Sequence, residues 1–144
     1  MTVVLDTNVV LDWLVFRDPA LDPLRQAIGE RRLALVTHPP ALDELRRVLA
    51  YPQFKLALPK QVAVLQHYES QASLLEPDDS RALPDHFPRC RDPDDQHFLL
   101  LSYHVRAAAL VTKDKDLLRL RRRGAKFGLT ILNPPQLLAL LALA

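Results

Sequence analysis

Residues 3–8 read VVLDTN, a short run of aliphatic residues that ends on a carboxylate. An uninterrupted, β-branched run of this kind is typical of a strand buried on both faces of a parallel sheet. Three further segments repeat the pattern: LALVT at 33–37, AALVT at 108–112 and LTIL at 129–132. The sequence therefore predicts a central, mostly parallel sheet of four to five strands.

Helical patterns fill the intervals between these strands. In chain order they cover residues 9–16, 19–31, 41–49, 60–73, 95–106 and 114–121, followed by the closing segment PPQLLALLALA. Strands that alternate with helices predict an α/β fold in which helices flank the sheet. Residues 77–93 hold four prolines and no periodic apolar pattern, so we expect a long loop there. At 144 residues, the chain is expected to form a single domain, 1–144.

Composition and motifs argue against several classes of protein. The single cysteine, Cys90, and the absence of a CxxC or Cys/His series speak against structural zinc and for a reducing compartment. No export signal is visible, and no apolar run approaches the roughly 20 residues that cross a bilayer. None of the three glycines lies in a GxGxxG or Walker-type pattern, so nucleotide binding has no motif support. We expect a cytoplasmic protein with no membrane partner.

Two aspartates stand directly beyond predicted strands. Asp6 ends VLD, and Asp114 follows ALVTK. Because ligands of open parallel sheets collect at the carboxyl ends of strands, both carboxylates are expected to face one crevice. The alternative is that each only caps the following helix, since Asp is a preferred N-cap. Neither aspartate alone distinguishes a shared crevice from a helix-capping role.

Two helices offer further acids. On a helical wheel, Glu44 lies at the border of the apolar arc of 41–49 and can reach inward, although a solvated side chain is the alternative. Asp94 and Asp95 both fall close to the apolar arc of the next helix, and the wheel does not choose between them. For this pair the alternative is a first helical turn, where acids are favoured by the helix dipole.

Carboxylates gathered in one crevice repel one another and take up protons unless a cation neutralises them. An all-oxygen ligand set favours a hard cation, Mg²⁺ or Mn²⁺. Such a site suits phosphodiester hydrolysis, because the metal lowers the pKa of the attacking water and stabilises charge on the phosphate.

A basic run, RLRRRGAK at 119–126, follows the last acidic motif. Its five cations are candidates for contacts with an RNA backbone: Arg119, Arg121, Arg122, Arg123 and Lys126. The alternative is a solvated helix end, where cations are favoured by the dipole. The Leu-rich closing segment is expected to dock as a helix, and its apolar surface permits a homodimer or a protein partner.

Four segments in this order and spacing resemble the PIN-domain ribonuclease family: VLDTNVVLD, ALDELRRVLAYPQF, DPDDQHFLLLS and LVTKDKDLL. The match is closest to toxin components of bacterial toxin–antitoxin systems. The resemblance covers nearly the whole chain. It implies a single PIN-like domain that hydrolyses RNA with one or two Mg²⁺ or Mn²⁺ ions, and an antitoxin as partner.

The resemblance also implies residue roles by position. Its metal-binding and catalytic set is Asp6, Glu44, Asp95 and Asp114, which favours Asp95 over Asp94. Asp116 resembles an auxiliary metal-binding acid at the rim. Asn8 and Thr112 resemble residues that hydrogen-bond and orient the carboxylates.

The sequence departs from the family pattern at two places. Lys113 stands where many members have glycine before the last-motif aspartate, and Arg106 and Ala107 stand where many have glycine before the following strand. Neither change removes a carboxylate. Two other interpretations stay open: a non-catalytic PIN-like module that binds RNA or protein, and a phosphotransfer domain. The second lacks the further aspartate, two residues after Asp6, that a phosphatase of that type requires.

Overall fold

The structure, a computed structural model, describes residues 1–76 and 82–143. Its five strands form one parallel sheet: β1 Thr2–Leu5, β2 Ala34–Thr37, β3 Ala72–Leu74, β4 Ala109–Val111 and β5 Ile131–Leu132. The strand order is β3-β2-β1-β4-β5, so the chain moves to one side of β1 and then to the other. This reversal lies between β1 and β4, where ligands bind in folds of this type. The predicted α/β fold with a parallel sheet is confirmed.

Helices occupy the connections between the strands. Within the described ranges they are α1 Thr7–Leu14, α2 Asp22–Gly29, α3 Pro39–Leu49, α4 Leu58–Gln71, α5 Gln96–His104, α6 Lys115–Leu118, α7 Arg121–Ala125 and α8 Pro134–Ala142. Short 3₁₀ turns precede three of them: Pro19–Leu21, Pro52–Phe54 and Pro93–Asp95. Prolines in the first turn start several helices because their missing N–H is not needed there.

The sheet is buried on both faces, which is why β1 is apolar without interruption. Val3 and Leu5 pack into one hydrophobic cluster, while Val4 packs into the other, and all three are at most 2% exposed. Each such side chain contributes about 1.5–3 kcal/mol through burial. Trp13 lies in the first cluster against Tyr68, with ring centroids 6.3 Å apart. The central strand thus fixes the position of whatever follows Leu5.

Two predicted helices have different boundaries in the structure. The helix expected over 60–73 ends at Gln71, and the next residues form the edge strand β3, which pairs with β2. The helix expected over 114–121 is divided into α6 and α7. Between them, Leu120 N donates to Leu117 O at 3.0 Å in a tighter turn than that of an α-helix. Both leucine side chains are buried.

The remaining predictions concern other segments. The segment expected as one helix over 19–31 begins with a 3₁₀ turn before α2. In the predicted loop, residues 82–92 contain no helix or strand, and residues 77–81 lie outside the described residues. Cys90 is a free, buried thiol. None of the helices described is long and apolar enough to span a bilayer.

Candidate active site

Asp6 lies where β1 meets β4, at the carboxyl edge of the sheet. Its backbone N–H donates to Val111 O at 2.9 Å, so it continues the ladder beyond the last strand residue. The side chain is 4% exposed, and Oδ2 accepts a 2.6 Å hydrogen bond from Thr112 Oγ1. Asp6 occupies the N-cap position of α1, yet its side chain makes no capping hydrogen bond. The capping alternative therefore does not explain this carboxylate.

Burial raises the pKa of Asp6 above its ordinary value. The bond from Thr112 opposes this shift, whereas the charges of Glu44 and Asp114 add to it. Those charges act on Asp6 because the three acids lie near one another at the sheet edge. A carboxylate in these surroundings binds a proton readily unless a cation is present.

Asp114 combines both roles that the sequence left open. Its Oδ1 accepts a 2.8 Å hydrogen bond from Asp116 N, which caps the first turn of α6. Its own backbone N–H donates to Thr112 Oγ1 at 2.9 Å. Thr112 therefore links the Asp114 backbone to the Asp6 carboxylate. The Asp114 side chain also forms a hydrogen bond with the Asp95 carboxyl.

Glu44 reaches the cluster from α3. Its Oε2 accepts a 2.5 Å hydrogen bond from Thr7 Oγ1, and His97 Nε2 lies 3.6 Å from the same oxygen. Burial raises the pKa of the Glu44 carboxyl, but the contacts with His97 and Thr7 outweigh it, so this pKa lies below its ordinary value. Glu44 therefore adds a negative charge beside Asp6.

Asp95 enters the cluster at the end of the 3₁₀ turn that precedes α5. Burial, a side-chain hydrogen bond with Asp114 and the negative charges of Asp6 and Glu44 together raise the pKa of Asp95 to about 8. Asp94 is exposed instead. The geometry thus separates two acids that the helical wheel could not.

The four carboxylates form an electrostatic cluster rather than a closed coordination sphere. Within residues 1–76 and 82–143, no three Asp, Glu, His or Cys side chains are arranged so that they could hold a metal ion as they stand. The donor chemistry nevertheless fits a hard divalent cation, because all four groups supply oxygen and two of them have raised pKa values. A bound cation would offset the burial and the mutual repulsion that raise the pKa values of Asp6 and Asp95.

Comparisons with known proteins agree with the fold. A family profile described as the PIN domain matches residues 2–116. The chain belongs to the PIN-domain family. An uncharacterized protein from Methanocaldococcus jannaschii is 28% identical over 122 residues, which cover 83% of this chain and 74% of the relative.

A comparison with solved structures finds a chain of similar fold. It is a chain from the crystal structure of VapBC2 from Rickettsia felis bound to a DNA fragment from their promoter. The TM-score is 0.63 at 12% identity, and the match covers 92% of this chain and 98% of the other. At that level of identity the likeness shows a shared fold.

The structure does not place the Asn8 side chain against a carboxylate, and Asp116 lies at the edge of the cluster. Asn8 is exposed, and its side chain makes no hydrogen bond to any residue that the structure describes. Thr7 makes the contact predicted for Asn8, because the first turn of α1 directs Thr7 toward α3. Asp116 pairs with Arg119 at 3.3 Å and is partly exposed.

The basic run divides into anchored and free cations. Arg119 pairs with Asp116, and Arg121 donates from Nε to Ile131 O at 3.0 Å and from Nη2 to Gln136 Oε1 at 2.7 Å. Three cations are exposed and lack an acidic partner among the residues described: Arg122, Arg123 and Lys126. Near the acidic cluster, Lys113 pairs with Asp12 at 2.5 Å.

Two histidines near the cluster were missed at the level of sequence. His97 contacts Glu44, and His38 lies behind it, with His38 Nε2 3.0 Å from His97 Nδ1. His38 follows β2 directly, as Asp6 follows β1, so the rule that selects residues at strand ends would have included it. His97 carries no comparable signal, because lone histidines on helices are common on surfaces.

Proposed function

We propose that this protein is an endoribonuclease that hydrolyses RNA phosphodiester bonds with Mg²⁺ or Mn²⁺, with residues 1–144 acting as one PIN-like domain. The observation that carries the proposal is the meeting of Asp6, Glu44, Asp95 and Asp114, from four separate elements, with raised pKa values at two of them. A cluster of this kind has no evident structural use, since unpaired buried charge destabilises a fold.

The proposed roles of the chain's own residues are supported by their positions in the cluster and by the family resemblance. Asp6, Glu44, Asp95 and Asp114 would hold one or two ions, with Asp116 as an auxiliary ligand. When bound, the metal supplies Lewis acidity and an activated water.

Orientation and substrate binding fall to other side chains. Thr112 and Thr7 each donate a hydrogen bond to one oxygen of a carboxylate, which fixes the orientation of that carboxylate. Arg122, Arg123 and Lys126 are placed to bind RNA phosphates, because no acidic partner among the described residues neutralises them.

The nuclease is tested by cleavage of a broad RNA panel with Mn²⁺ or Mg²⁺. The wild type should cleave, while Asp6→Asn and Glu44→Gln should lose at least about a hundred-fold in rate. Asp43→Asn is the matched control, because Asp43 is exposed on the same helix and pairs with Arg46. Equal cleavage by the wild type and Asp6→Asn would sink the assigned site.

We further propose that the protein is the toxin of a type II toxin–antitoxin system, acting in the cytosol and held in check by a cognate antitoxin. The family resemblance of the motifs supports this, and the VapBC2 complex offers a precedent on the same fold. Expression of the wild type should arrest growth, Asp6→Asn should not, and the product of a neighbouring small gene should restore growth. Arrest by Asp6→Asn as well would contradict a nuclease toxin.

A non-catalytic RNA- or protein-binding module is the second candidate. The open arrangement of the acids favours it, because no metal-holding group stands ready in the described part of the chain. Calorimetric titration with Mn²⁺ separates the two functions. Site-specific uptake that is lost in Asp6→Asn favours the nuclease, and no uptake favours the module. Light scattering of the same samples would show whether the chain forms a homodimer.

A further inference from the structure

Two histidines form a line that ends on Glu44. His38 is 5% exposed at the carboxyl end of β2, and His97 lies in the first turn of α5. His38 Nε2 and His97 Nδ1 are 3.0 Å apart, and the two ring centroids are 5.1 Å apart. The far side of the His97 ring directs Nε2 toward Glu44 Oε2 at 3.6 Å, a polar contact longer than a hydrogen bond.

The two oxygens of Glu44 have different surroundings. Thr7 and His97 both contact Oε2, at 2.5 Å and 3.6 Å. Oε1 has no hydrogen-bond partner among the residues that the structure describes. The protein thus holds one oxygen from two sides and leaves the other available. This asymmetry orients the carboxylate without using the oxygen that a ligand needs.

We propose that His97 is a positioning residue for Glu44 and that His38 acts through His97 by fixing its ring. This inference rests on the proposed function, because it assigns the pair to the metal centre. Side chains behind the ligands of metal sites commonly fix ligand orientation in this way.

The proposal requires a defined proton arrangement. A neutral imidazole carries one proton, on either ring nitrogen. If His97 presents Nε2–H to Glu44, its Nδ1 must accept, and His38 must then donate from Nε2. Both histidines are therefore Nε2–H tautomers in the neutral state. A pair that only filled space would not need this pattern.

Substitutions at His97 separate positioning from packing. His97→Leu should raise the Mn²⁺ dissociation constant about ten- to a hundred-fold, measured by calorimetry. His97→Gln keeps an N–H donor near the Nε2 position and should recover most of that affinity. Unchanged Mn²⁺ affinity in His97→Leu, or equal losses in the Leu and Gln variants, would overturn the proposal.

Substitutions at His38 test the order of action. His38→Leu should weaken Mn²⁺ binding less than His97→Leu, since it leaves the direct contact in place. The double variant should match His97→Leu within about two-fold, because His38 acts only through His97. If the fold-losses in Mn²⁺ affinity of the two single variants multiply in the double variant, the two histidines act independently. That result would contradict the proposal that His38 acts through His97.

A measurement on the wild type needs neither a variant nor a metal. Nitrogen-15 NMR of the histidine rings at about pH 8 reports which ring nitrogen carries the proton. We expect Nε2–H on both His38 and His97, and Nδ1–H on His97 would overturn the proposal. If the wild type takes up no Mn²⁺, the proposed metal function fails, whereas the tautomer pattern still decides whether His97 faces Glu44 as a donor.

Discussion

Thr112 donates a 2.6 Å hydrogen bond to the Asp6 carboxylate, although 106 positions of sequence separate the two residues. The bond crosses from the end of β4 to the end of β1, the two strands between which the strand order reverses. It holds one oxygen of a buried acid whose side chain makes no capping hydrogen bond to α1. The strand-end crevice is therefore organised around this pair.

Thr112→Val keeps the shape of the side chain but removes the hydroxyl. The pKa of Asp6 should rise further, because the Thr112 hydrogen bond is the strongest contact that opposes the effect of burial. Leaving the buried acceptor unpaired should cost about 1–3 kcal/mol in the free energy of unfolding, measured with urea. Mn²⁺ binding should weaken about ten-fold or more. Thr112→Ser, which restores a hydroxyl, should recover both properties; a Ser variant as impaired as Val would contradict this role.

Asp95→Asn should change stability in opposite ways without and with metal. The raised pKa, about 8, means that the folded chain binds a proton that the unfolded chain, with a pKa near 3.8, releases. The stability from this proton is present below about pH 4 and is lost as pH rises through 8. At pH 9 without metal, the variant should melt about 3 °C or more above the wild type.

Addition of Mn²⁺ should reverse this order, since only the wild type keeps the ligand. Thermal melting with and without Mn²⁺ measures both effects. Asp94→Asn is the matched control, because Asp94 is the exposed neighbour and should leave both melting temperatures unchanged. An Asp95→Asn protein that Mn²⁺ stabilises as strongly as the wild type would argue against Asp95 as a ligand.

His38 should make the protein sensitive to mild acid. Burial and the nearby His97 lower the pKa of His38 to about 4, from an ordinary 6.5. The stability that follows from a neutral His38 is present above about pH 6.5 and is lost as pH falls toward 4, with a slope of up to about 1.4 kcal/mol per pH unit. His38→Gln should flatten this part of the pH profile in urea unfolding. A profile parallel to that of the wild type would contradict the shift.

The free cations should contribute to RNA binding, whereas the anchored one should contribute to stability. Replacing Arg122, Arg123 and Lys126 by Gln should leave the melting temperature unchanged. It should also lower the slope of log affinity against log salt by about 2, at roughly 0.7 per phosphate contact on single strands. Arg121→Gln is the contrast, because it loses bonds to Ile131 and Gln136. Its melting temperature should be lower than that of the wild type. Its slope of log affinity against log salt should equal that of the wild type.

The fold could be predicted from sequence where apolar patterning and topology agree. β1 and β4 read as buried strands because both faces of each are covered. β3 was missed because its residues, Ala72 to Leu74, continue an apparently helical segment, and only pairing with β2 makes them a strand. Tertiary contacts of this kind override local preference.

The site could be predicted from sequence only in outline. The strand-end rule pointed to Asp6 and Asp114, and helical periodicity placed Glu44 at the border of the apolar arc, but the wheel could not separate Asp94 from Asp95. The contacts of Thr7 and His97 with Glu44 depend on how α1 and α5 approach α3, which no local pattern encodes. Residues that orient a ligand are therefore harder to predict than the ligands themselves.

The central claim is that these four carboxylates hold a divalent metal ion, and anomalous diffraction from crystals grown with Mn²⁺ tests it most directly. We expect an anomalous manganese peak within coordination distance of oxygens of Asp6 and Asp114, with Glu44 and Asp95 beside it. The same peak should be absent from Asp6→Asn crystals. Crystals with no manganese at this edge of the sheet, at a concentration that supports RNA cleavage, would contradict the account.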